Sequence, residues 1–243
     1  MDFFVSLTQW FTAAEHWSGS SGIPNRLLEH LAYSGSATLV AALIALPVGL
    51  LLGHTGRFGN LAINIANVGR AIPTFGLIII AFLLLRFSLL PVFIALVALA
   101  IPPILTNTYV GIRQVDAEIR DAAAGMGMTG PQVLWRVEAP VALPLIMAGI
   151  RISAVQVVAT ATLAAVVSFG GLGRFIIDGL AKGVQGRARG LSEVVAGALM
   201  VAALAILTEI VLGRVQTAVT PKGLRAAPAR RRSESAEELL QPS

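Results

Sequence analysis

The side chains able to do covalent chemistry are few and badly spaced for it. A nucleotide-hydrolysing P-loop needs Lys between Gly and Ser or Thr. Lys182 and Lys222 are each followed by Gly instead. His16, His30 and His54 offer no pair at i, i+4 spacing to hold a metal, and no Ser motif accompanies them to support a nucleophilic triad. The chain has no Cys, so it has no thiolate ligands or disulfides, and the redox compartment is left unread. No carboxylate occurs between Glu29 and Asp116. The one carboxylate well inside a long apolar stretch is Glu209. It has two readings: a partner for Arg70, or a side chain reaching the membrane interface, which is the simpler.

What remains is neutral polarity on apolar segments. Ser153, Gln156, Thr160 and Ser168, with Thr162 one step off, make a polar line along one segment, and Thr106 and Asn107 stand on another. Such residues face a solute pathway or serve as glue between helices. As a group they make a candidate pathway, and singly each also reads as packing.

These residues are carried by elements that belong in a bilayer. Of 243 residues 56% are hydrophobic and 13% charged, with mean hydropathy +0.79, against a charged share of about 25% in a soluble domain. Apolar segments of spanning length run over 31–52, 61–85, 90–112, 141–168 and 192–216. The second contains Arg70 and Pro73, and the third is interrupted by Pro102-Pro103 and so should face a protein interior. The fold class is therefore all-α, a polytopic transmembrane helical bundle of five spans, with six as the alternative. The net charge of +5 comes largely from residues flanking the apolar runs, which reads as membrane flank and not as a nucleic-acid surface.

Residues 113–144 are the polar interval. Val115, Ile119, Ala122, Ala123 and Met126 repeat at helical spacing opposite Arg113, Asp116, Glu118, Arg120 and Asp121, predicting an amphipathic helix that Gly125 and Gly127 weaken. Thr129 and Gln132 have the form of a capping box, with Pro131 in the first turn, so a second short helix starts there. Pro140 is expected to stop it.

Asp121-Ala122-Ala123, Gly127 and Val137-Glu138-Ala139-Pro140 resemble the EAA loop of permease subunits of ATP-binding-cassette importers, E-A-A-x3-G-x9-I-x-L-P. Asp replaces Glu, Val replaces Ile and Ala replaces Leu. The wider run DAAAGMGMTGPQVLWRVEAPVALPLIMAGIR, with SFGGLGRFI at 168–176 and RAIPTFGLIII at 70–80, is similar to permeases for glycine betaine, choline and carnitine. The matches together span about residues 30–217. The resemblance implies a type I importer permease fold in the inner membrane of a prokaryote. It also implies cytoplasmic ATPase subunits as partners, a second permease subunit (identical or paralogous) and an extracytoplasmic substrate-binding protein. ATP and Mg would be bound on the ATPase, and no cofactor by this chain. Asp121, Ala122, Ala123, Gly127, Val137 and Pro140 become the candidate ATPase-coupling residues. Solutes of this class are caught in aromatic cages. Phe75, Phe82, Phe87, Phe93 and Tyr109 are scattered, so recognition is expected mainly on the binding protein.

With the 113–140 loop cytoplasmic, Lys and Arg favour the inner side, with Arg174, Lys182, Arg187 and Arg189 as an outer exception. The glycine-rich stretch 169–191 reads as an outer loop, a gate or a dock, with Phe175-Ile176-Ile177 able to dip toward the bilayer. The expected organisation is an N-terminal interfacial segment at 1–29 rich in Trp and Phe, a transmembrane domain at 30–217, and a disordered cytoplasmic tail at 218–243 whose Arg230-Arg231-Arg232 rests against lipid headgroups. The alternatives are a permease for another small solute such as methionine or another amino acid, an ion-coupled secondary transporter, and a membrane scaffold protein.

Overall fold

The computed structural model describes residues 3–59, 63–64, 74–84, 90–167, 170–183 and 187–221. Helices α1 (Phe3–Thr12), α2 (Ile23–Thr55), α3 (Thr74–Leu84), α4 (Leu90–Arg113), α5 (Ala117–Gly125), α6 (Gly130–Val133), α7 (Ala139–Thr160), α8 (Gly173–Gly183) and α9 (Arg187–Val219) follow in order. A π-helical turn, Leu134–Glu138, joins α6 to α7, and a 3₁₀ stretch, Ala161–Val167, extends α7. Among the described residues no strand occurs, and four helical stretches are long and apolar enough to cross a membrane: Ile23–Thr55, Leu90–Arg113, Gly130–Val167 and Gly190–Val219. Nearly half of the expected second span, including Arg70 and Pro73, lies outside the described residues, as do Ser168 and the tail from 222 onward.

The centre of the bundle is a seam between α2 and α4. Along α2 a small residue recurs every fourth position, at Ala37, Ala41, Ala45, Gly49 and Gly53, all buried. Along α4 the facing stripe is Val92, Leu96, Ala100, Ile104, Thr108 and Ile112, each at most 1% exposed. Four-residue periodicity keeps each stripe on one face, and small side chains let the backbones approach. A Cβ on Gly49 would lie 2.8 Å from Thr108 Cβ, and one on Gly53 would lie 2.6 Å from Ile112 Cβ. α4 is the most enclosed of the four spanning stretches. Its Pro102 and Pro103 are buried and do not end the helix; Asn107 Nδ2 donates to Pro103 O at 2.8 Å.

The glycine-rich stretch after the fourth span differs from the loop expected there. It folds as α8 because Phe175, Ile176 and Gly179 share one helical face, which packs on α9 at Val194 and Gly197. Several glycines serve close helix contact here, not turns: a Cβ on Gly179 would meet Gly190 O at 2.8 Å. One of the N-terminal aromatics packs inward, while Phe4 stays exposed. Trp10 is buried, stacked on His16 at 4.2 Å and edge-on to Phe175 at 5.3 Å, while Trp17 is exposed and donates through Nε1 to Phe11 O at 2.7 Å.

Replacing Gly53 by Val inserts bulk into the α2–α4 seam. Overpacking of this kind costs roughly 1–3 kcal/mol, so the melting temperature in detergent should fall by several degrees, whereas Gly35→Val, at a site with nothing within 4 Å, should leave it nearly unchanged.

Candidate functional site

The 113–140 interval is built as two short helices locked end to end. Asp116 caps α5, its carboxylate accepting from Glu118 N at 3.0 Å. At the other end Gly127 takes φ +85. Gly127 N donates to Ala124 O at 2.9 Å and Met128 N to Ala123 O at 3.2 Å, the hydrogen-bond pair of a left-handed helix stop. A Cβ on Gly127 would meet nothing within 4 Å, so backbone conformation and not space calls for glycine here. Thr129 N then donates to Gln132 Oε1 at 2.8 Å, and the expected capping box starts α6 with Pro131 in its first turn.

One expectation for this interval changes. Pro140 does not stop the second helix, which runs continuously from Gly130 to Val167. A proline inside an α-helix lacks a donor and clashes one turn back. Here the preceding turn widens to π geometry, with Ala139 N bonded to Leu134 O, so Pro140 falls just after the widened turn, early in α7. The apolar stripe along α5 is buried in part. Val115 and Ala123 are buried, but Ile119 and Met126 are 48% and 74% exposed, and Asp121 and Ala122 are exposed beside them. With Trp135, 63% exposed, the interval presents apolar side chains outward while remaining anchored from beneath.

The anchor is Glu138, which the motif leaves unspecified. Its side chain is 1% exposed. Oε1 lies 3.1 Å from Arg120 Nε, and Oε2 lies 2.6 Å from His54 Nδ1. Arg120 Nη2 also donates to Ile112 O. One carboxylate thus ties the end of α2, the helix α5, the end of α4 and the π turn together. A buried carboxylate without partners is costly, and this one holds the four elements in register through His54 and Arg120. Sequence spacing could not pair His54 with residue 138; the available signal was a single carboxylate set between Val137 and Ala139 at the head of a long apolar run.

Among the candidate pathway residues, Ser153 is fully buried and donates to Ala100 O at 2.7 Å, joining α7 to α4. Asn107 lies against Gly149 on the same contact. Thr106 Oγ1 is buried without a hydrogen-bond partner, and Gln156 and Thr160 are half-buried. The structure brings Asn107 and Ser153 to one helix–helix contact. Asp121, Ala122, Ala123 and Gly127 lie together on α5 and its stop, Val137 lies within the π turn, and Pro140 follows it. Glu209 pairs with Arg151, Oε1 to Nε at 3.2 Å.

A second tied point lies where the 3₁₀ stretch leads into α8. Glu29 Oε2 accepts from Gly171 N at 2.8 Å and from Arg26 Nη1 at 2.9 Å. His30 Nδ1 accepts from Leu172 N at 3.3 Å, so Nε2 carries the proton and donates to Val158 O at 2.9 Å. The imidazole is neutral, held by two backbone groups.

An all-α bundle with several helices long and apolar enough to span, and a capped polar interval between two of them, defines a multi-pass membrane protein. The chain belongs to the family of binding-protein-dependent transport system inner membrane components, whose family model matches residues 45–222. It is 38% identical over 199 residues to the carnitine transport permease protein OpuCB of Listeria monocytogenes, covering 82% of this chain and 88% of that one. It is 34% identical over 197 residues to the glycine betaine/carnitine/choline transport system permease protein OpuCB of Bacillus subtilis (81% and 88%). It is 33% identical over 202 residues to the osmoprotectant import permease protein OsmW of Salmonella typhimurium (81% and 91%). In fold it is similar to an inward-facing structure of the MetNI methionine ABC transporter, with TM-score 0.69, 22% identity, and coverage of 82% and 96%. The all-α importer-permease fold and the multi-pass membrane location agree with the reading of the sequence.

Glu138→Ala leaves Arg120 and His54 without their common partner. Removing one member of a buried pair costs roughly 3–5 kcal/mol, and the 20–25% exposure of the two partners places this site at the lower end. The variant should melt earlier in detergent and be cut faster by protease between residues 113 and 130. An unchanged cleavage rate would show that Glu138 does not hold the loop.

Proposed function

We infer that this chain is the membrane-spanning permease subunit of an ATP-driven importer of small osmoprotectants such as glycine betaine, choline or carnitine. The observation that carries this reading is the outward apolar face of α5, held on a fixed Schellman stop and a buried carboxylate, in a chain whose relatives across four-fifths of its length are named for these solutes. ATP and Mg bind to separate cytoplasmic subunits, for which this chain offers a dock and no phosphate loop. A second permease subunit completes the passage, and an extracytoplasmic protein delivers the solute.

In this reading Asp121, Ala122 and Ala123 form the contact with the ATPase, a short helix seated in a groove. Ala122 is exposed and small enough for close backbone approach, while Ala123 faces inward and keeps α5 seated. ATP binding brings the ATPase subunits together and moves α5 and α6 as one lever, because Gly127 and the capping box fix the angle between them. The Glu138 tie passes that movement to the end of α2 and, through the π turn, to α7, and access changes between the two sides of the membrane.

Pull-down from gently solubilised membranes tests the dock. An ATPase should co-purify with the wild-type chain and be lost with Gly127→Trp, which adds outward bulk and forces a non-glycine residue into the left-handed region at about 1–2 kcal/mol. ATP-dependent uptake of labelled glycine betaine should disappear with it, while the subunit still inserts. Undiminished ATPase capture and uptake by the variant would overturn the lever.

A further inference from the structure

Two charges meet on a face of the bundle that carries many exposed aliphatic side chains, five residues before the exposed Arg214 of α9. Arg151 of α7 and Glu209 of α9 meet at 3.2 Å, with side chains 31% and 48% exposed. Along α9, exposed Ile206 and Leu207 precede Glu209 and exposed Ile210, Val211 and Val215 follow it; on α7, exposed Ile152 adjoins Arg151. Both residues lie on spanning stretches, and within a membrane charged side chains are found paired, facing a bundle interior or lining a water-filled pathway.

The pair is incompletely satisfied. The contact from Nε to Oε1 is the only polar contact of either side chain among the described residues. A guanidinium carries five N–H donors, and a carboxylate has about four lone-pair sites, so most of both is unmet. Neighbouring polar groups on α9 are already used: Thr208 donates to Leu204 O at 2.8 Å and Thr217 to Gly213 O at 3.0 Å. Gly213 lies beside the guanidinium, where a Cβ would be 3.5 Å from Arg151 Nη1, at ordinary van der Waals contact. The pair also faces away from the α4 contact, because Gly149 and Ser153, each two residues from Arg151, are the ones turned to α4.

We propose that Arg151 and Glu209 form a transit site for a small zwitterion on the α7–α9 seam, a proposal that rests on the osmoprotectant reading above. A solute with one carboxylate and one quaternary nitrogen brings both missing partners. Its carboxylate takes the planar N–H fork of Arg151, which suits bidentate recognition. Its cation needs no hydrogen bond and lies against the free edge of Glu209. A bare ion or a neutral solute meets only one half of the site. Between passages the two side chains neutralise each other.

The test is ATP-driven uptake into vesicles holding the assembled transporter, with glycine betaine and choline measured in parallel at saturating concentrations. Choline carries the quaternary cation without the carboxylate. Arg151→Gln should lower the ratio of glycine betaine to choline uptake about tenfold, the size expected for losing hydrogen bonds to a charged group. Arg151→Lys keeps the charge and loses the fork, and should move the ratio the same way by about threefold. A ratio unchanged in both variants, with the two fluxes falling together, overturns the site and leaves the pair as a tie between α7 and α9. Wild-type vesicles that import neither solute overturn the osmoprotectant reading itself, and this proposal with it.

Discussion

Between helices surrounded by lipid, apolar side chains gain nothing by leaving one hydrocarbon for another, so cohesion depends on how closely the backbones approach. The α2–α4 seam meets that constraint with a small residue at every fourth position of α2 against a matching stripe on α4. α7 then docks on α4 through Gly149 and the Ser153 hydroxyl, and α8 and α9 close through Gly179, Gly190 and Gly197. Each of these contacts is drawn close by glycine, alanine or serine, with larger aliphatic residues buried on the α4 side of the first seam.

Polar groups obey the complementary constraint. A buried donor or acceptor must be answered within the protein, and here the answers double as ties between segments distant in sequence. Glu138 joins residues near 54, 112 and 120. Glu29 and His30 hold the backbone at 171 and 172. These two ties lie at opposite ends of α2, so the first span meets the capped polar interval at one end and the turn into α8 at the other. A movement of α5 has a physical route to α2 through a single carboxylate.

Motif spacing and helix-stop chemistry were legible because they are local. Gly127 after an Ala-rich turn, and Thr129 three residues before Gln132, act within a few residues of themselves and were found where their types predicted. Pro140 misled because a π turn upstream removed the conflict that proline normally creates, and nothing in the residue types announces that turn. The glycines of 170–190 read as a loop because their use as contact surfaces needs α9 beside them. Trp10 read as interfacial for the same reason, since its burial requires Phe175 from the far end of the chain.

Composition, the lengths of the apolar runs and the 121–140 motif by themselves determined a multi-pass helical permease with a polar interval before its fourth span. They also excluded a phosphate loop, which depends on residues adjacent in sequence. The tertiary structure alone decided which charges meet. Glu138 with His54 and Arg120, Glu29 with Gly171, and Arg151 with Glu209 are pairs made by packing. Spacing along the chain carries no information about a partner that arrives on another helix.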